Sequence, residues 1–294
     1  MDAVDALIKS QALPGAYRQM VDSVHRPAAD RITRRRREIG RPIMVGLCGS
    51  QGSGKSTMAG FLKILLEGRG LKVATLSLDD LYLTLPERQR LAQEVHPLLL
   101  TRGVPGTHDV GLGIALLDIL TNGPAEVWMP AFDKAADTRA PASRWPRVQA
   151  PVDVILFEGW CVGALPQPDA DLTAPINALE RDEDRDGAWR RYVNDRLKTD
   201  YAALFGRIDM LAMLKAPSFE VVLGWRSLQE KKLAQRVARE GGDDSKVMGP
   251  AALARFLMFY QRITETLLEE MPARADIVMP MDETHRILRV EFKG

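Results

Sequence analysis

The stretch "GLCGSQGSGKST", Gly46 to Thr57, constrains the fold more than any other part of the chain. Gly49, four residues, then Gly54-Lys55-Ser56 is the P-loop pattern, in which glycines let successive backbone N–H groups turn inward and cradle phosphate oxygens at a helix N-terminus. Such a loop needs a strand before it and a helix after it, and both flanks read that way. "RPIMVGLCG" is an apolar strand ending at Gly49, while "KSTMAGFLKILLEGRG" puts Met58, Phe61, Leu62, Leu65 and Leu66 on one helical stripe, with Gly68 or Gly70 as its stop. Gly49, Ser50, Gln51, Gly52, Ser53, Gly54, Lys55, Ser56 and Thr57 are therefore candidate phosphate binders. Lys55 would meet the terminal phosphates and Ser56 a magnesium ion. The competing reading is a glycine turn with no ligand.

Strands and helices alternate beyond the loop. "KVATLSL", "PVDVILFEGW" and "GRIDMLAMLKAP" read as strands, and "AEVWMPAFD" as a short one. "DVGLGIALLDILTNG" reads as a helix opening at Asp109 and stopping at Asn122-Gly123. Two more helices follow, about 219–240 and 250–270, joined by a polar turn "GGDDSK", before "ADIVMPMD" and "RILRVEF" close the chain as strands. This alternation predicts an α/β fold, a parallel sheet with helices on both faces and ligands at the carboxyl ends of its strands. Residues 1–40 read as an N-terminal helical extension. The remainder, 41–294, reads as one nucleotide-binding domain with a helical lid region at about 217–248.

Composition narrows the classes. The 294 residues are 46% hydrophobic and 27% charged, an ordinary balance for a globular core, and the net charge of +1 offers no electrostatic case for nucleic acid. The basic run "RITRRRREIGRP" reads as a solvated helix face, with contact to an anionic ligand as the minority reading. The two cysteines, Cys48 and Cys161, have neither metal nor disulfide spacing. No window approaches a membrane span and no apolar leader is evident, so a cytoplasmic protein is expected.

The acids and bases that could do chemistry fall at strand ends. "SLDDLYL" places Asp79 and Asp80 beside the loop, where a carboxylate can orient an attacking hydroxyl and take its proton; an N-cap or turn aspartate is the alternative. Glu158, after four apolar residues of "VILFEGW", occupies a place that is costly for an acid unless a cation faces it; it is a candidate for the magnesium shell. "TRGVPGTHD" carries Arg102, His108 and Asp109, which suit a small carboxylate or phosphate, although a glycine-proline turn capped by Asp109 is the plainer reading. Asp133, Lys134 and Arg139 of "PAFDKAADTR" read alone as a solvated loop. Arg226, Lys231, Lys232 and Arg236 read as a basic helix face or a mobile cationic lid.

In this order the pieces resemble the P-loop kinases of small metabolites that include uridine kinase, phosphoribulokinase and pantothenate kinase, and most closely the plant and fungal D-glycerate 3-kinases. The resemblance rests on "GLCGSQGSGKST", "SLDDLYLT", "TRGVPGTHD", "PAFDKAADTR", "VILFEGW" and "GWRSLQEKK". It implies ATP and Mg2+, Glu158 at the metal, Asp79 as general base and Arg226 as lid cation. It also implies Asp80, Tyr82, Arg102, His108, Asp109 and Arg139 around a glycerate-like acceptor. Leu81, in place of the usual phenylalanine, and "CVGA" after Trp160 depart from the pattern near the expected acceptor pocket. An ATP-dependent kinase acting on D-glycerate or a similar small hydroxy acid is the resulting expectation. Its rivals are a kinase of the same fold acting on a nucleoside, pantothenate or a sugar, and an ATP-binding switch.

Overall fold

The computed structural model describes residues 2–123, 125–240 and 248–293, with the backbone alone at 229 and 232–240. Helices α1 (Ala3–Ser10), α2 (Tyr17–Met20) and α3 (Arg26–Ile39) precede β1 (Ile43–Gly49). The P-loop leads into α4 (Lys55–Glu67), followed by β2 (Val73–Ser77), α5 (Leu85–Glu94) and α6 (Val110–Asn122). Two small antiparallel ribbons come next, β3 (Glu126–Trp128) with β6 (Arg147–Gln149), and between them β4 (Phe132–Asp133) with β5 (Thr138–Arg139). After β7 (Val154–Gly159) run α7 (Ala178–Glu183), α8 (Ala188–Lys198) and α9 (Asp200–Phe205). The chain ends with β8 (Met210–Lys215), α10 (Phe219–Glu240), α11 (Pro250–Arg274), β9 (Ile277–Pro280) and β10 (Glu291–Phe292).

The main sheet runs β10-β9-β8-β1-β7-β2, parallel throughout except for the antiparallel edge strand β10. Every residue of β1 and β7 is buried, which is why both read as unbroken apolar runs: helices cover both faces of a parallel sheet. The pleat divides β1 between two cores. Met44 and Cys48 face the one shared with α6, α8, α9 and α11, while Ile43, Val45 and Leu47 face the one shared with α4 and the N-terminal helices. Val4, Ile8, Val24, Ala28 and Ile32 all belong to that second core, so residues 3–39 cover the α4 side of the sheet.

The stripe expected on the P-loop helix is the buried one: Met58, Phe61, Leu62, Leu65 and Leu66. Arg34, Arg35 and Arg37 of the basic run are exposed, and Arg36 pairs with Asp153 at 2.9 Å. Two expectations need correction. "AEVWMPAFD" is split between β3 and β4, with Pro130 between them removing a ladder donor. "RILRVEF" supplies only the two ladder residues of β10, antiparallel to the others. The charged segment 178–205, for which no element is predicted above, forms α7, α8 and α9. The polar turn "GGDDSK" lies outside the described residues. Among those described, no helix is long and apolar enough to cross a membrane.

Candidate active site

Backbone geometry builds the P-loop. Gly52 and Gly54 sit at φ +80° and +89°, where a side chain would be strained. A Cβ on Gly49 would lie 2.7 Å from Ser53 Oγ and 3.0 Å from Leu214 Cβ, so the loop closes tightly over the end of β1. Lys55 Nζ bends back to donate to the Ser50 carbonyl at 3.3 Å. Ser50 Oγ, Gln51 Oε1 and Ser53 Oγ are buried and have no partner. Each unsatisfied group of this kind costs about 1–3 kcal/mol. Polar atoms left in this state around a helix N-terminus fit a phosphate chain that would satisfy them.

Strand register delivers the acid expected at the metal. Glu158 of β7 lies level with Leu47 of β1 and Ser77 of β2, directly under the loop. Its Oε1 accepts from Ser56 Oγ at 2.8 Å. One hydroxyl and one carboxylate suit Mg2+, which keeps several waters and takes its other ligands from phosphates. Among the described residues no cluster of three or more His, Cys, Asp or Glu could hold a metal by itself.

Where β2 ends, Ser77 caps a short turn over Leu78–Leu81 that carries the two aspartates. Their environments differ. Asp79 Oδ1 accepts from the Tyr82 hydroxyl at 2.9 Å and Oδ2 from Lys134 Nζ at 2.5 Å. Burial works to raise its pKa, but Lys134 above all, then Lys55 and the Tyr82 hydroxyl, hold the carboxyl below its ordinary value. Asp80 accepts from the Phe132 N–H at 3.0 Å, and burial raises its pKa, with the Asp79 and Glu158 charges adding to the rise. The ionised acid facing cations is Asp79, and Asp80 tethers the β4–β5 hairpin to the sheet.

The segment 101–109 is laid against residues 81–83: Asp109 N–H donates to the Leu81 carbonyl at 2.7 Å and Leu83 N–H to that of Thr107 at 3.0 Å. Its glycines are required by packing. A Cβ on Gly103, at φ +144°, would overlap the Tyr260 hydroxyl, and one on Gly106, at φ +97°, would lie 2.6 Å from Tyr192. Trp160 Nε1 and the Tyr260 hydroxyl donate to the carbonyls of Gly103 and Arg102, at 2.9 and 3.2 Å. His108 is buried, stacked on Tyr82 with ring centroids 4.6 Å apart, and its Nδ1 meets the Tyr201 hydroxyl at 2.5 Å. Burial lowers its pKa to about 3, so the ring is neutral, and Nε2 has no partner. Asp109 caps α6 through Leu112 N–H at 2.9 Å and holds Arg139 at 2.6 Å.

Arg102 pairs with Asp137, which also receives the buried Arg88 at 2.7 Å. Asp137 sits at φ +54° in the turn of the β4–β5 hairpin that also carries Lys134. Arg226, on α10, pairs with Glu230 at 2.5 Å. Burial and the Asp79 charge raise the Tyr260 phenol while Arg102 and Arg226 work to lower it, so these charged groups share one neighbourhood. The structure thus brings Lys55, Ser56, Glu158, Asp79, Tyr82, His108, Arg102 and Arg226 to one end of the sheet. It puts Asp109 and Arg139 into a pair at the α6 N-terminus. Leu81 and Cys161 are fully buried in the core beneath the loop. Lys134, read from sequence as a loop charge, and Asp137, which that reading does not single out, are the partners of Asp79 and Arg102; only the family resemblance of "PAFDKAADTR" could have signalled this.

Residues 18–82, the P-loop region, match the family model described as Methylmalonyl Co-A mutase-associated GTPase MeaB. The chain is 35% identical to the uncharacterized kinase mug58 of Schizosaccharomyces pombe over 71% of its own length and 77% of that protein. It is 32% identical to the chloroplastic D-glycerate 3-kinase of Arabidopsis thaliana over 80% of its length, spanning half of that longer protein. The solved D-glycerate 3-kinase of Cryptococcus neoformans var. grubii superposes with a TM-score of 0.67 at 25% identity, covering 86% of this chain and 90% of that one. The end of the sheet described above is accordingly that of an ATP-dependent kinase, and the chain belongs to the P-loop kinase family that holds mug58 and the D-glycerate 3-kinases.

Proposed function

We propose that the chain transfers the γ-phosphoryl group of ATP to a hydroxyl of D-glycerate or a closely similar small hydroxy acid. The observation that carries this reading is the state of Asp79: an ionised carboxylate near Lys55, with Lys134 and Tyr82 on its two oxygens. A hydroxy acid offers a partner to each member of the Asp79–Lys134 pair. Its hydroxyl donates to Asp79 and its carboxylate accepts from Lys134, while Lys55 remains as the cation acting on Asp79. A nucleoside or glycerol supplies only the hydroxyl and strands the ammonium. Lys134 is largely exposed, so its exchange of partners costs little. Arg102, now on Asp137, is the second cation within reach of an acceptor carboxylate.

In this mechanism the loop N–H groups and Lys55 hold the phosphates, and Ser56 and Glu158 would hold Mg2+, which when bound offsets charge on the phosphate oxygens. Asp79 keeps the acceptor hydroxyl in line and takes its proton. Arg226 faces the charge that develops on the transferring group, and α10 shields it from water as a competing acceptor. The two relatives named as D-glycerate 3-kinases support the same acceptor.

ADP release is to be measured with D-glycerate, L-glycerate, glycerol, uridine and pantothenate. D-Glycerate should give the highest kcat/KM, and Arg102→Ala should raise its KM about ten- to a hundredfold, the range for loss of a charged hydrogen bond, with ATP affinity kept. Equal turnover of glycerol or uridine would sink the hydroxy-acid assignment and leave the kinase standing.

A further inference from the structure

Arg88 of α5 is only 2% exposed, and the transfer step described above makes no use of it. A buried charge is costly unless it is paired and hydrogen-bonded, and Arg88 is both. Its Nε donates to the Leu83 carbonyl at 3.2 Å and its Nη1 to that of Leu100 at 2.5 Å, while Nη2 meets Asp137 Oδ2 at 2.7 Å. Leu83 follows the turn that carries Asp79, Leu100 precedes Arg102, and Asp137 lies in the β4–β5 hairpin. One buried side chain thus ties together the three segments that build the acceptor side.

Asp137 is shared between two arginines. Its Oδ2 receives Arg88 and its Oδ1 receives Arg102 Nη1. Arg102 is held further by the Phe132 ring, 5.6 Å from its Cζ, and by the Lys134 carbonyl, 3.4 Å from its Nη2. Lys134 Nζ is on Asp79, so a single residue joins the base to the arginine. Two guanidiniums on one carboxylate leave this cluster a net charge of +1, and because Arg88 is buried the excess faces outward at the part-exposed Arg102. An acceptor carboxylate arriving at Arg102 cancels that excess. A second anionic group on the same acceptor meets the Asp137 carboxylate instead, and the cluster has no further cation to offset it. Like charges held this close, partly shielded from water, repel strongly enough to decide between ligands.

We propose that Asp137 determines the charge of the acceptor, admitting one carboxylate at Arg102 and rejecting a second, and that Arg88 is the positioning residue that fixes Asp137 for this task. The inference deepens the hydroxy-acid reading above and rests on it. Asp79 and Lys134 respond to the hydroxyl and the first carboxylate, and the Arg88–Asp137–Arg102 cluster excludes dicarboxylates by repulsion.

The test measures binding of D-glycerate, glycerol and tartrate by calorimetry in the presence of ADP and magnesium, so that it does not depend on phosphoryl transfer. Tartrate is glycerate with a second carboxylate on its terminal carbon. In the parent, D-glycerate should bind about tenfold or more tightly than either of the others. Asp137→Asn keeps the turn, which holds residue 137 at φ +54°, because Asn also takes positive φ, and its amide oxygen can stay on Arg88. It should narrow the preference for D-glycerate over tartrate about tenfold. Arg88→Met keeps the apolar stem and removes the buried charge, and it should narrow the preference for D-glycerate over glycerol about tenfold. Should Arg88→Met misfold, Asp137→Asn carries the test by itself. Equal weakening of all three ligands, unchanged preferences in a folded variant, or no preference for D-glycerate in the parent would each overturn the proposal. Selection as expected, with no phosphorylation of D-glycerate, would overturn the kinase-acceptor reading alone.

Discussion

The nucleotide-binding and acceptor-binding parts of the site are made in opposite ways. The P-loop is one contiguous stretch whose polar atoms are left wanting: Ser50, Gln51 and Ser53 each bury an unpartnered oxygen. The acceptor side is assembled from residues 79–82, 101–109 and 132–139, and its charges are already paired, Asp79 with Lys134, Arg102 with Asp137, Arg139 with Asp109. An anion cradle with unpartnered polar atoms gains hydrogen bonds when its ligand arrives. A site closed on its own ion pairs gains little net charge interaction and works by exchange of partners, which favours ligands that match both partners at once. In the proposed mechanism the loop provides affinity for any triphosphate, and discrimination among acceptors falls to the hairpin.

Four substitutions would break or sharpen this contrast. The largest effect is expected at Asp79. Asp79→Asn keeps the shape and the ATP seat but cannot accept the hydroxyl proton, and it should lower phosphoryl transfer by roughly a hundred- to ten-thousandfold with ATP affinity unchanged. Asp80→Asn, which loosens only the Phe132 tether, should lose far less. Acceptor kinetics beside ATP calorimetry for both variants decides it; greater sensitivity at Asp80 would make Asp80 the base.

Next in size is Lys55→Ala. Removing a preorganised cation from the transferring group typically costs about two to three orders of magnitude in rate. A near-normal kcat would end the assignment of the loop as the phosphate seat.

The smallest effect is on stability, not turnover. His108 is neutral in the fold, and burial lowers its pKa to about 3. As pH falls below the ordinary value near 6.5, the unfolded chain takes up a proton that the folded chain refuses until near pH 3, so this group weakens the fold across that window. Between pH 6.5 and 4 the loss is about 3 kcal/mol. His108→Asn, which keeps a polar partner for Tyr201, should flatten the acid limb of thermal melting over this range. An unchanged acid limb would mean that His108 is protonated in the fold after all.

What could be read from the sequence follows the same divide. β1, the P-loop and α4 were legible because their determinants are local: an apolar run, glycines at positive φ, and an apolar stripe at helical spacing. The place of Glu158 at the carboxyl end of a buried strand was legible for a related reason, since the apolar run before it is local. The alternation of strands and helices was enough for a parallel sheet with its ligands at one end. Its strand order, and the antiparallel β10, depend on contacts between residues far apart in the chain, on which periodicity is silent.

The pairing of Lys134 with Asp79 and the burial of His108 on Tyr82 are likewise tertiary facts. A charged loop residue has the same local signature whether it meets solvent or a carboxylate 55 positions away. Only the folded chain, which sets the desolvation and the partner, distinguishes the two. The sequence by itself determined that a phosphate chain is bound and where; the tertiary structure decided which cations, acids and rings surround it, because interactions between distant segments follow distance and burial, which local sequence does not encode.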